Sequence, residues 1–131
     1  MAETPMYLAA MQNEVEIAKI LIYHGASLDE QEKFGLTPLL AAVSNANFEM
    51  VKLLLDNGAN VENSDRGQRG PLYLASEEGN VDIVRLLLEH GANVYAKDEK
   101  GETSSTYASR NTHWNSGLIR DILIEKEAIN Q

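Results

Sequence analysis

The residues able to do chemistry in this chain are few, and their spacing argues against their doing it. Three histidines occur, His24, His90 and His113. His24 and His90 each stand one residue before a glycine, Gly25 and Gly91, at equivalent places in the chain. An imidazole at the end of a helix meets the negative end of its dipole and reaches its last carbonyls, so a structural role is expected there rather than metal binding. His113 lies beside Trp114 with no spaced partner ligand. Acid pairs occur at Glu77–Glu78, Glu30–Glu32 and Glu125–Glu127. Paired carboxylates do acid–base work only in a cleft that separates their pKa values. These pairs fall in loop-like stretches or at helix ends, where solvation is expected. No serine has the strand–turn–helix setting of a hydrolase nucleophile, and the glycines form no phosphate-binding loop. The chain has no cysteine, hence no disulfide, thiolate ligand or thiol nucleophile. The expectation is a non-enzyme without metal or cofactor.

The elements that carry these residues recur every 33 residues. Pro5, Pro38 and Pro71 keep that step, and its continuation lands on Ser104. Gly25, Gly58 and Gly91 keep it as well, each followed by alanine. Two markers on one period predict a stack of similar units that bury their apolar sides against one another. In the second unit, Thr37 before Pro38 marks a helix start, since a hydroxyl caps a free N–H and proline has none to lose. The small residues Ala41 and Ala42 let a neighbour approach closely. Phe48, Val51, Leu54 and Leu55 give a second amphipathic stripe. Gly58 closes it, and the turn-formers Asn60, Asn63, Ser64, Asp65 and Gly67 make a loop or hairpin into the next unit. The pattern predicts helices over 5–12, 15–24, 38–45, 48–57, 71–78, 81–90 and 104–111, with a last one near 117–127.

The segments TPLLAAV, FEMVKLLLDNGANV, VDIVRLLLEHGANV and KDEKGET resemble the ankyrin repeat, well over residues 4–111 and loosely beyond. The resemblance implies an all-α solenoid of about four helix-turn-helix repeats joined by hairpin-like loops, here roughly 1–31, 32–64, 65–97 and 98–131 of a single domain. There are departures. Tyr7, Leu40, Tyr73 and Thr106 stand where the family usually has histidine, and Gln68 and Gly70 where it favours glycine and threonine. The fourth unit lacks the proline and the Gly-Ala stop. Aligning Leu118–Leu123 with Ile83–Leu88 requires a shift of 35, about two extra residues near Trp114.

The formal net charge is −9. An acidic surface repels phosphate backbones and anionic membranes, so neither nucleic acid nor membrane is an expected partner. Residues 1–36 carry six acids against two bases and residues 70–102 seven against three, which would attract a basic or amphipathic surface; the plainer reading is solvated carboxylates. No stretch is apolar enough to span a bilayer, and the N-terminus does not read as a signal peptide. With the missing cysteines this points to a cytoplasmic protein.

The resemblance implies binding of another protein through the concave face made of hairpin tips and first helices. The candidate contact residues are Lys33, Phe34 and Leu36; Arg66 and Arg69; Glu99, Lys100 and Glu102 on the hairpins. On the first helices they are Ser44, Asn45, Glu77, Glu78, Arg110 and Asn111, with Met11 and Gln12 at the equivalent end of the first unit. Phe34 leads, because aromatic and arginine side chains dominate interface energies, although its ring could instead fold back onto Leu36 or the neighbouring tip. Arg66 and Arg69 could clamp a carboxylate or pair with a neighbour such as Asp65. The alternative function is a structural spacer or regulatory piece of a larger protein. The first unit carries Met6, Tyr7, Leu8, Met11, Val15, Ile17, Ile20 and Ile22 and looks like an internal unit rather than a polar cap. An apolar end is therefore expected, used in a longer array or in self-association.

Overall fold

The computed structural model describes residues 3–110 and 115–130. Its helices are α1 (Pro5–Met11), α2 (Val15–Tyr23), α3 (Pro38–Ser44), α4 (Phe48–Asp56), α5 (Pro71–Glu78), α6 (Val81–Glu89), α7 (Ser104–Arg110) and α8 (Ser116–Ile129), with one 3-10 turn at Lys33–Gly35. No strand occurs among the described residues. Odd-numbered helices pack in one row and even-numbered helices in a second, each touching its predecessor and successor.

The helix starts follow the sequence chemistry. Thr37 Oγ1 accepts from the Leu40 amide at 3.1 Å, and Thr4 Oγ1 from the Tyr7 amide at 3.3 Å. Gly70, at the same place before Pro71, has no side chain to cap α5. The second helices end alike: Gly25, Gly58 and Gly91 hold φ of 82°, 91° and 84°. A Cβ on any of the three would meet nothing within 4 Å, so glycine is there for its backbone freedom alone. The side chain just before each glycine returns to the last turn. His24 Nδ1 donates to Ile20 O at 2.9 Å, Asn57 Nδ2 to Leu53 O at 2.8 Å, and His90 Nδ1 contacts Leu86 O at 3.0 Å.

The core is a ribbon running the length of the stack. Every residue from Pro38 to Val43 and from Pro71 to Ser76 is buried, because α3 and α5 are sandwiched between neighbouring units. Met50, Val51, Leu54, Ile83, Val84 and Leu87 fill the space between the two rows at 0% exposure. Burying such a side chain contributes about 1.5–3 kcal/mol. In the last unit the register differs from the sequence alignment. Leu118, aligned with Ile83, is 48% exposed, whereas Ile119 and Leu123 at 0% assume the buried places of Ile83 and Leu87. The displacement is 36 rather than 35, and Asn115 locks it by donating to Gly79 O at 2.7 Å. His113 and Trp114 lie outside the described residues.

Gly70 has extended φ/ψ, and a Cβ added to it would meet no atom within 4 Å, so a threonine there restores the cap seen at Thr37. Gly70→Thr is expected to raise unfolding stability by about 1 kcal/mol. Gly58→Ala, forced to keep φ of 91°, is expected to lower it by about 1–2 kcal/mol. Urea unfolding followed by circular dichroism measures both; an unchanged midpoint in either variant contradicts the account.

Candidate interaction site

The loops between units are braced turns. In each, one residue's carbonyl accepts from the amide three residues on, from Glu32 to Gly35, Asp65 to Gln68 and Asp98 to Gly101. The same residues close a wider bond from their own amide, to Leu36 O, Arg69 O and Glu102 O. Asp65 and Asp98 add their side chains: Asp65 Oδ1 accepts from Gly67 and Arg69 amides at 2.9 and 3.0 Å, Asp98 Oδ1 from Lys100 and Glu102 amides at 2.9 Å each. Glu32, one methylene longer, reaches across instead and accepts from the Thr4 amide at 2.8 Å. Adjacent tips are tied by Arg66 N to Phe34 O and by Glu99 N to Gly67 O, both 3.0 Å. Gln31 Nε2 clamps Gly35 O and Ser64 O.

These braces aim the tips at the first helices. Beneath the first tip lies a recess of about 480 Å³ lined by Tyr7, Glu32, Lys33, Phe34, Leu36 and Arg66, among others. Phe34 is 53% exposed, so its ring does not fold into the core, while Leu36 is half-buried and packs there. Lys33 Nζ lies 5.1 Å and Arg66 Cζ 5.7 Å from the Phe34 ring centre, so two cations flank one aromatic ring. Arg66 has no ion pair among the described residues. Phe34 also holds φ of 66°, a left-handed conformation that a bulky side chain rarely adopts.

The other candidates divide. Arg69 is already committed, its guanidinium bonding Asp65 Oδ2 at 3.0–3.1 Å and lying 3.7 Å from Glu77. Arg110 is paired with the half-buried Glu102 at 2.6 Å. Asn45 donates to Met11 O at 3.1 Å, joining the ends of α1 and α3. Ser44, Glu78, Glu99 and Lys100 are exposed. Asn111 lies outside the described residues. Sequence reading missed the brace carboxylates Asp29 and Glu62, which accept from Asn60 and Asn93 amides at 2.8 and 2.7 Å. The shared 33-residue step between those two pairs was the available signal. Tyr7 and Tyr73 are buried near their helix starts, and the Tyr73 ring lies 5.2 Å from that of Tyr107.

The electrostatics follow from this wiring. The Glu102 and Lys100 amides hold the Asp98 carboxyl below the usual carboxylate range. Burial, with Asp98, Glu102 and Glu77 nearby, pushes the Tyr73 phenol up to about 12. Asp56 is held low first by its hydrogen bond from Lys52, and also by His90, whose Nε2 lies 3.2 Å away across the unit boundary. Among the described residues, no cluster of three or more histidines or carboxylates is placed to hold a metal ion, and no helix is long and apolar enough to cross a membrane.

A carboxyl with a lowered folded pKa stabilises the fold above its unfolded pKa, and that contribution disappears as pH falls through the folded value. Asp98→Ala is therefore expected to melt below wild type at about pH 7, with the gap closing as pH falls below the usual carboxylate range. Thermal melts across that range test it; a gap that stays constant shows that the charge on Asp98 is not the acting feature.

A comparison with curated proteins found no match. Two family models do match: ankyrin repeats (3 copies) over residues 1–65 and ankyrin repeats (many copies) over residues 54–108. Such repeats are generally protein–protein interaction modules. Stacked helix pairs, repeated Gly-Ala stops and braced tips agree with both matches, and the chain belongs to the ankyrin repeat family.

Proposed function

We propose that this chain recognises a protein partner without catalysis, through the concave face of its hairpin tips and first helices, centred on the recess around Phe34. The observation that carries the reading is the state of Phe34 itself. Its left-handed backbone costs about 1–2 kcal/mol relative to glycine, and its half-exposed ring recovers only part of a buried ring's contribution. A residue that strains the fold and leaves its apolar surface in water is well placed to bury that surface in a complex. The tip is held by backbone bonds to its neighbour, so little conformational entropy is lost on binding.

The partner that fits is an amphipathic segment. Its apolar side chains would cover Phe34 and Leu36, a carboxylate would meet the unpaired Arg66, and basic groups would cross the exposed Glu78 and Glu99. Arg69, Glu102 and Arg110 would serve by shaping the face, since their charges are already paired within the chain.

A side-by-side capture from the native source with wild type, Phe34→Gly and Arg66→Ala baits, read by mass spectrometry, tests the proposal. Phe34→Gly is expected to melt at or above the wild-type temperature, because glycine relieves the strain, yet to weaken capture of the partner by at least about tenfold. A lower melting temperature with unchanged capture would assign Phe34 to packing and favour the spacer role.

A further inference from the structure

The residue before each glycine stop returns to the final helical turn, and the three units use different groups to do it. Asn57 reaches Leu53 O with an amide N–H, which involves no titrating proton. His24 and His90 reach Ile20 O and Leu86 O through Nδ1 at 2.9 and 3.0 Å. His90 also has its second nitrogen engaged: Nε2 lies 3.2 Å from Asp56 Oδ1, at the end of α4 in the preceding unit. Among the described residues no carboxylate lies within ion-pair distance of His24.

Both ring nitrogens of His90 therefore face oxygens, and neither oxygen brings a proton. One belongs to a backbone carbonyl. The other belongs to a carboxyl held below the usual carboxylate range, first by its hydrogen bond from Lys52 Nζ, 2.9 Å from Asp56 Oδ2. A neutral imidazole carries one N–H, so either tautomer turns a lone pair on one of the two oxygens. Only the imidazolium donates to both. The end of α6 adds the negative end of its dipole beneath the ring. The charged groups around it are few. Lys52 on α4 shares Asp56 with His90, and Glu89 and Arg85 stand on α6 itself. α5 carries its charges, Glu77 and Glu78, in its last turn, next to the start of α6 rather than its end. On α8, Lys126 holds the place of His90 by the 36-residue displacement. At the other two unit boundaries the equivalent pairs are Tyr23 with Asn57 and Glu89 with Lys126, and neither contains an imidazole.

We propose that His90 and Asp56 form a proton-dependent tie between the second and third units, closed when His90 is protonated and open when it is neutral. Its contribution is present below the ordinary histidine range and is lost as pH rises through that range. The sign is opposite to that of Asp98, whose contribution is lost on acidification. The two side chains are 28% and 46% exposed, so the tie modulates the stacking of one boundary rather than holding the array together. It uses no residue of the Phe34 recess, so it stands or falls independently of partner recognition.

Urea unfolding of wild type, His90→Asn, Asp56→Asn and the double variant at two pH values tests the tie. His90→Asn copies the carbonyl bond that Asn57 makes and removes the link to Asp56. The wild-type midpoint is expected to exceed that of His90→Asn at about pH 5.5, and the excess to shrink at least about threefold by about pH 8.5. In the Asp56→Asn background the pH-dependent part of the excess is expected to fall by at least about half, which leaves the helix-dipole contribution. His24→Asn reports that dipole contribution separately. An excess that does not change with pH, or one whose change is as large without Asp56 as with it, overturns the proposal.

Discussion

The fold depends on burying each first helix between two others. α3 and α5 have no solvent-facing side along most of their length, so neither is amphipathic in the usual sense. Ala42 and Ala75, both at 0% exposure, set how closely the inner row can pack. No unit encloses an apolar nucleus of its own, and stability is the sum of unit and nearest-neighbour contributions. The surface around the first tip inherits this dependence. Its recess draws Tyr7 from the first unit, Lys33 and Phe34 from the first tip, and Arg66 from the next, so its shape exists only while three successive units remain stacked.

The acidity of the chain has a second explanation in the braces. Asp29, Glu32, Glu62, Asp65 and Asp98 all accept from backbone amides in loops that have no strand ladder to satisfy those donors. A buried or half-buried amide left unpaired is costly, and a carboxylate is the strongest acceptor available. Part of the net charge of −9 is thus a consequence of building loops from carboxylate caps. Around Phe34 the cations Lys33 and Arg66 share the recess with Glu3 and Glu32.

The sequence made the architecture legible because its signals are local and repeated. Thr-Pro fixes a helix start and Gly-Ala a stop, and each observed helix boundary falls within about two residues of the pattern. Phe34 was legible as an exposed tip residue, but the choice between ring in and ring out was not, since it rests on a backbone angle that nothing in the local composition dictates. Arg69 and Arg66 look alike in sequence. Only folding shows that Asp65 and Glu77 converge on Arg69 while Arg66 is left facing an aromatic ring. The slip of one residue at α8 was hidden for a similar reason: Leu118 and Ile119 are equally apolar, and packing against α6 decides which turns inward.

The left-handed positions show why the first tip differs from the others. Gly35, Gln68 and Gly101 occupy one place in successive turns, with φ of 78°, 60° and 81°. Gln68 tolerates the conformation at some cost, and its turn is otherwise like that of Gly101. At the first tip the preceding residue is left-handed as well, so Phe34 and Gly35 form a consecutive pair. A side chain on Gly35 would lie 3.1 Å from the Arg66 amide nitrogen and 3.2 Å from the Asp65 backbone, so the second tip is already in contact beneath it. The close stacking of neighbouring turns that demands glycine at position 35 also brings Arg66 to the Phe34 ring.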